Sequence, residues 1–121
     1  MILADTSIWI RHFRIGFPEF EDALRQGTIA IHPVVLGELA TGNLTRRAST
    51  LTMLRQLPKA SAGTADECLD FIETHKLYGR GIGWGDVQLL VSARLCRFPL
   101  WSLDARLDAA ATRLGTAFVA S

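Results

Sequence analysis

The sequence predicts an α/β chain, a three-layer sandwich in which helices cover both faces of a mainly parallel sheet. Two observations carry this. Short β-branched or aliphatic runs ("MILA", "TIAIHP", "FPLWS", "TAFVA") alternate with longer stretches of helical periodicity, and such alternation favours parallel strands joined by helical crossovers. In addition, 121 residues with 49% hydrophobic and 21% charged side chains suffice for one core and are few for two. A single domain over 1–121 is expected.

The elements follow in order. Ile2 to Ala4 forms a short strand, and "TSIWIRHFR" places Ile8, Trp9 and Phe13 at helical spacing. "PEFEDALRQG" is a second helix, with Pro18 suited to its first turn, Glu19 and Glu21 near the positive end of its dipole, and Gly27 as its stop. "TIAIHP" is a strand closed by a proline, and "VVLGELATG" a mostly apolar helix with one charge, Glu38. "LTRRASTLTMLRQLP" is amphipathic through Leu44, Leu51, Leu54 and Leu57 and is ended by Pro58. "TADECLDFIETHKL" has an acidic first turn and offers Leu69, Phe71 and Ile72 to the core. Glycines alternate through "YGRGIGWGD", which is read as a loop because no regular helix tolerates them well. "DVQLLVSARLC" is then a helix, "FPLWS" a strand, "DARLDAAATRL" an Ala-rich helix and "TAFVA" a closing strand.

Composition removes several function classes. No apolar run approaches the ~20 residues of a membrane span, and no basic leader opens the chain, so a cytoplasmic protein without membrane contact is expected. Cys68 and Cys96 form no CxxC pair and His12, His32 and His75 are scattered, which argues against a disulfide framework or a zinc site. A net charge of +1 excludes bulk electrostatic coating of nucleic acid, so such binding must be local. Lys59 and Lys76 are the only lysines. The basic residues are therefore mostly guanidinium groups, which grip phosphate by a bidentate fork.

Four acids interrupt otherwise apolar segments: Asp5 after "MILA", Glu38 within "VVLGELA", Asp86 before "VQLLVSARL" and Asp104 after "FPLWS". Helix capping accounts for any one of the aspartates, but not for Glu38. Nor does Asp86 have the Glu or Gln three positions on that completes a capping box, that position being Leu89. In a parallel sheet Asp5 and Asp104 share the carboxyl edge, where working groups gather, and helices there can bring Asp86 and Glu38 alongside. Four carboxylates in one cleft repel one another unless they take up protons or a cation. All-oxygen ligation suits Mg²⁺ or Mn²⁺, and such ions support phosphodiester hydrolysis without a Ser, Cys or His nucleophile. The hydroxyls of Thr6, Ser7 and Ser102 are placed to orient the carboxylates or a metal-bound water; local capping bonds are the alternative.

These segments resemble the PIN-domain ribonucleases, and within them the VapC-type toxins of bacterial toxin-antitoxin pairs. "MILADTSIWI" looks like the family's opening strand with its first Asp and following hydroxyl, "VVLGELATG" like the helix carrying its Glu, "GIGWGDVQLLVSARL" and "LWSLDARLDAAA" like the segments of its third and fourth acids. The resemblance spans the chain. It implies a five-stranded parallel sheet, an acidic quartet at Asp5, Glu38, Asp86 and Asp104 holding Mg²⁺ or Mn²⁺, an RNA substrate, a homodimer and a cognate antitoxin. On that footing Asp5, Asp86 and Asp104 are expected metal ligands and Glu38 positions metal or attacking water. Ser102 stands where the family more often has Thr, and Gly85 precedes the third acid in a glycine-rich loop.

A phosphoacceptor signalling domain also sets acids at strand ends, yet it expects paired acids near the N-terminus and a late lysine; Asp5 stands alone and no lysine follows Lys76. A catalytically silent PIN-like binding module is disfavoured by the presence of all four acids. Arg80, within the glycine loop, is placed to touch phosphate and Trp84 to stack on a base, against default readings as a solvated and a packed side chain. Ile8, Ile10, Phe13, Phe17 and Phe20 exceed what one core-facing stripe requires, which fits an apolar groove for a partner helix as well as two fully buried helices.

Overall fold

A computed structural model describes residues 1–120 of the chain. It contains β1 (Ile2–Ala4), α1 (Thr6–Ile15), α2 (Pro18–Arg25), β2 (Ile29–Ala30), α3 (Pro33–Ala40), α4 (Arg47–Gln56), α5 (Ala65–His75), α6 (Trp84–Cys96), β3 (Leu100–Trp101) and α7 (Ala105–Arg113). All strand pairs are parallel, in the order β2-β1-β3, with Ile2 opposite Ile29 and Leu3 opposite both Ala30 and Leu100. The crossovers from β1 to β2 and from β2 to β3 move in opposite directions across the sheet. Right-handed connections therefore put their helices on opposite faces.

The sheet has three strands where about five were expected. Its outer rows shrink to isolated parallel bridges, Ile31 to Lys59 on one edge and Leu100 to Ala117 on the other. Prolines explain the first: Pro33 turns the chain into α3 directly after His32, and Pro58 has no N–H to extend the ladder and contributes only its carbonyl, to Ile31. On the other edge "TAFVA" pairs through Leu100, which donates to Thr116 O and accepts from Phe118 N–H.

The helices obey local chemistry. Pro18 and Pro33 occupy first-turn positions, and Thr64 with Glu67 closes a capping box on α5. That helix buries Cys68 and half-buries Phe71 and Ile72, whereas Leu69, expected in the core, is 52% exposed. The buried stripe runs at i, i+3 and i+4 from Cys68, and Leu69 falls outside it. Leu3, Ile8, Trp9, Phe20, Leu90 and Leu100 anchor the main core. No helix among the described residues is long and apolar enough to cross a membrane.

His32 caps α3, its Nδ1 accepting from Val34 N–H at 2.9 Å. Only an unprotonated Nδ1 can do this, and burial holds the imidazole below its usual value. As pH falls, the unfolded chain takes up this proton first, so stability drops from the ordinary imidazole range downward. In melts between about pH 8 and about pH 5, His32→Asn, which retains a cap acceptor, is expected to show a flatter profile than the native chain. Parallel profiles would remove His32 from the acid response.

Candidate active site

Asp5 lies where the central strand meets α1. Its extended backbone makes it the helix N-cap, and Oδ1 accepts from Ile8 N–H at 3.3 Å and from the Ser7 hydroxyl. Oδ2 accepts from the Ser102 hydroxyl at 2.5 Å. The residue is only 5% exposed. Desolvation pushes its carboxyl above the usual range, more strongly than the bonds from Ser102, Ser7 and Ile8 pull it down. No Arg, Lys or His pairs with it among the described residues.

The two serines fasten the turn after β3 to the turn after β1. Leu103 N–H donates to Ser7 Oγ and Asp104 N–H to Ser102 Oγ, each at 2.9 Å, while both hydroxyls donate onward to Asp5. Asp104 caps α7, its Oδ1 accepting from Arg106 N–H at 2.9 Å and Leu107 N–H at 3.2 Å. Asp5 and Asp104 are thereby held at one sheet edge through Ser102.

Glu38 and Asp86 sit on α3 and α6, which pack against each other. α6 reverses directly into β3, so its N-terminus returns to the strand carboxyl edge. Asp86 accepts there from Gly83 N–H at 3.1 Å. It is the third residue of α6, which begins at Trp84, earlier than the expected start at Asp86. A Cβ on Gly85 would lie 3.9 Å from Glu38 Oε1 and 3.8 Å from Val34. Gly85 thus places Glu38 and Val34 of α3 beside the first turn of α6. Three helix N-termini, of α1, α6 and α7, carry aspartates that face their positive ends.

Ser102 ties Asp5 to the turn that carries Asp104, and Glu38 lies beside Gly85, the residue before Asp86. Among the described residues no group of three or more His, Cys, Asp and Glu is gathered closely enough to hold a metal ion. Each aspartate instead accepts hydrogen bonds from its own helix or loop. The donor set is nevertheless all oxygen, none of the four acids has an ion-pair partner among the described residues, and Thr6 Oγ1, next along the chain from Asp5, is buried without a hydrogen-bond partner. Such a set fits a hard dication that keeps part of its water shell. Of the hydroxyls singled out in the sequence, Ser102 and Ser7 touch Asp5; Thr6 does not.

Beside Glu38 runs a groove of about 260 Å³ lined by Ile10, Phe13, Arg14, Leu39 and Leu44. Ile8, Phe17 and Phe20 are buried, while Ile10 and Phe13 are 37% and 39% exposed. The surplus of apolar residues in the first two helices thus does leave an open apolar face. Trp84, at the start of α6, is 46% exposed.

Fold and site together define a parallel α/β protein with carboxylates, braced by hydroxyls and free of basic partners among the described residues, at the carboxyl edge of its sheet. No family model matches the chain. It is 38% identical over 118 residues to ribonuclease VapC32 of Mycobacterium tuberculosis, in both the CDC 1551 / Oshkosh and the H37Rv strains, a match covering 97% of this chain and 95% of the relative. The chain belongs to the VapC-type PIN-domain ribonucleases. Its fold is also similar to the crystal structure of PAE2754 from Pyrobaculum aerophilum, with a TM-score of 0.57 at 16% identity, covering 94% of this chain and 88% of that one.

Proposed function

We propose that this chain is the endoribonuclease toxin of a VapBC-type toxin-antitoxin pair, hydrolysing phosphodiester bonds in RNA with Mg²⁺ or Mn²⁺. Asp5, Asp86 and Asp104 would hold the cation, Glu38 would orient it or the attacking water, and Ser102 and Thr6 would steady the carboxylates and bound water. The observation that carries this reading is Asp5: a buried carboxylate without an ion-pair partner among the described residues, gripped by two serines tied to the backbone beside Asp104. An uncompensated buried charge is costly, and a ligand cation relieves that cost. The chemistry the cation supplies when bound is a lowered pKa for coordinated water and polarisation of a phosphoryl oxygen.

In this arrangement Ser7 and Ser102 fix both oxygens of Asp5, while the helix ends fix Asp86 and Asp104. The name of the relative supports RNA as substrate, and the apolar groove beside Glu38 suits the helix of a cognate antitoxin. A homodimer in the cytoplasm completes the proposal.

Purified chain, freed of antitoxin, is expected to cut RNA with Mg²⁺ or Mn²⁺ and to stop on chelation. Asp86→Asn should lose that cleavage while melting like the native chain. Equal cleavage in a chelator, or by the variant, would overturn the assignment, and sequencing the new RNA ends would define the bond cut.

A further inference from the structure

α7 carries Arg106, Ala109, Ala110 and Arg113 at i, i+3, i+4 and i+7, which places them on one helix face. With Arg80 and Ala105 they line a single groove of about 250 Å³. Its floor is alanine and its charged groups are three guanidiniums. None of the three is ion-paired to an acid among the described residues.

All three are exposed, and two of them are tied to backbone carbonyls. Arg80 Nε donates to Lys76 O at 2.8 Å and Arg113 Nη2 to His75 O at 2.7 Å, which leaves most donors of each fork free. The Arg106 side chain lies across Gly81, where a Cβ would fall 2.7 Å from its Cδ. Gly81 has φ +76°, so the glycine both makes the turn and admits the arginine. His75, at the far end, is pushed below the usual imidazole value first by burial and then by Arg94 and Arg113, consistent with a positive field there.

The groove begins at Ala105, next to Asp104, whose carboxylate accepts from Arg106 N–H. From Arg106 to Arg113 the helix rises about 10 Å. That length suits a row of anionic groups better than one. Resting on the endoribonuclease reading above, we propose that Arg80, Arg106 and Arg113 form a track for successive backbone phosphates of the RNA strand leaving the candidate active site. Alanine methyls let the sugar-phosphate chain approach closely, and bonds to phosphate place the strand without selecting its bases.

The test is salt-dependent binding of a labelled single-stranded RNA to the full chain in chelator, so that cleavage plays no part. For single strands the slope of log affinity against log salt changes by about 0.7 for each phosphate that the protein neutralises. The combined R80A/R106A/R113A variant should therefore flatten the slope by about 2. A control removing the same charge elsewhere, R11A/R46A/R55A, should flatten it much less, and R80K/R106K/R113K should recover most of it. Should the alanine variant fold poorly, its three single substitutions carry the test.

An unchanged slope, or equal flattening by the control, overturns the track even if the chain cleaves RNA. So does tighter binding of a polyglutamate peptide than of RNA, lost in the same variant, since the groove would then serve an acidic protein segment. A flattened slope in a chain that cuts no RNA under any metal would keep the phosphate track and sink the nuclease reading.

Discussion

Asp5→Asn is expected to abolish cleavage while leaving the melting temperature at neutral pH no lower than that of the native chain. Asparagine keeps an acceptor for Ile8 N–H and Ser7, and it turns an amide toward Ser102 Oγ, which already accepts from Asp104 N–H. The packing is unchanged and the charge is gone. Loss of an outer partner of a metal ligand costs about 10–100-fold, and loss of the ligand itself should exceed that. Undiminished cleavage would remove Asp5 from the chemistry, and a large fall in melting temperature would reduce it to a helix cap.

The pH dependence separates these readings further. Burial raises the Asp5 carboxyl above its ordinary value, so in the window between the unfolded and folded values the native state holds the proton more tightly than the unfolded chain. Stability contributed by Asp5 is therefore present in acid and lost as pH rises through the folded value. The melting difference between Asp5→Asn and native chain should be smallest in acid, grow with pH and then level off. Added Mg²⁺ or Mn²⁺ should raise the native melting temperature by mass action and leave that of the variant unmoved.

Local chemistry is the legible part of this chain. Pro18 and Gly27 bound α2 within a few residues of sequence, and Pro58 closely follows the end of α4. Pairing is less legible, because each edge row depends on a segment distant in sequence. The four acids stand out since each breaks an apolar run, and a charge in such a run is a local signal. Their bracing is invisible in sequence: Ser102 reaches Asp5 across 97 positions and Leu103 reaches Ser7 across 96. Nothing in "YGRGIGWGD" shows that Gly81 seats Arg106. The start of α6 differs from its expected place by a small shift, because Trp84 and Gly85 read as loop and instead open the helix.

The second large effect concerns the layer that holds Asp5 in place. Trp9 is fully buried on α1, edge-on to Phe20 of α2 at 4.7 Å between ring centroids and 5.8 Å from Phe13. Trp9→Ala should cost about 3–5 kcal/mol through reduced burial and the cavity left behind. Against a total stability of about 5–15 kcal/mol, that lowers the melting temperature by about 10–20 °C in a chain of this size. Trp9→Phe should cost far less, because it keeps a ring against Phe20 and removes an indole N–H that is buried without a hydrogen-bond partner. The difference between the two variants isolates aromatic packing from backbone effects of substitution. Since α1 begins at the Asp5 cap, Trp9→Ala should also lower cleavage at temperatures where the chain is still folded. If Trp9→Ala melts within a few degrees of the native chain, α1 is not clamped by this packing, and the rigidity of Asp5 must come from Ser7 and Ser102 alone.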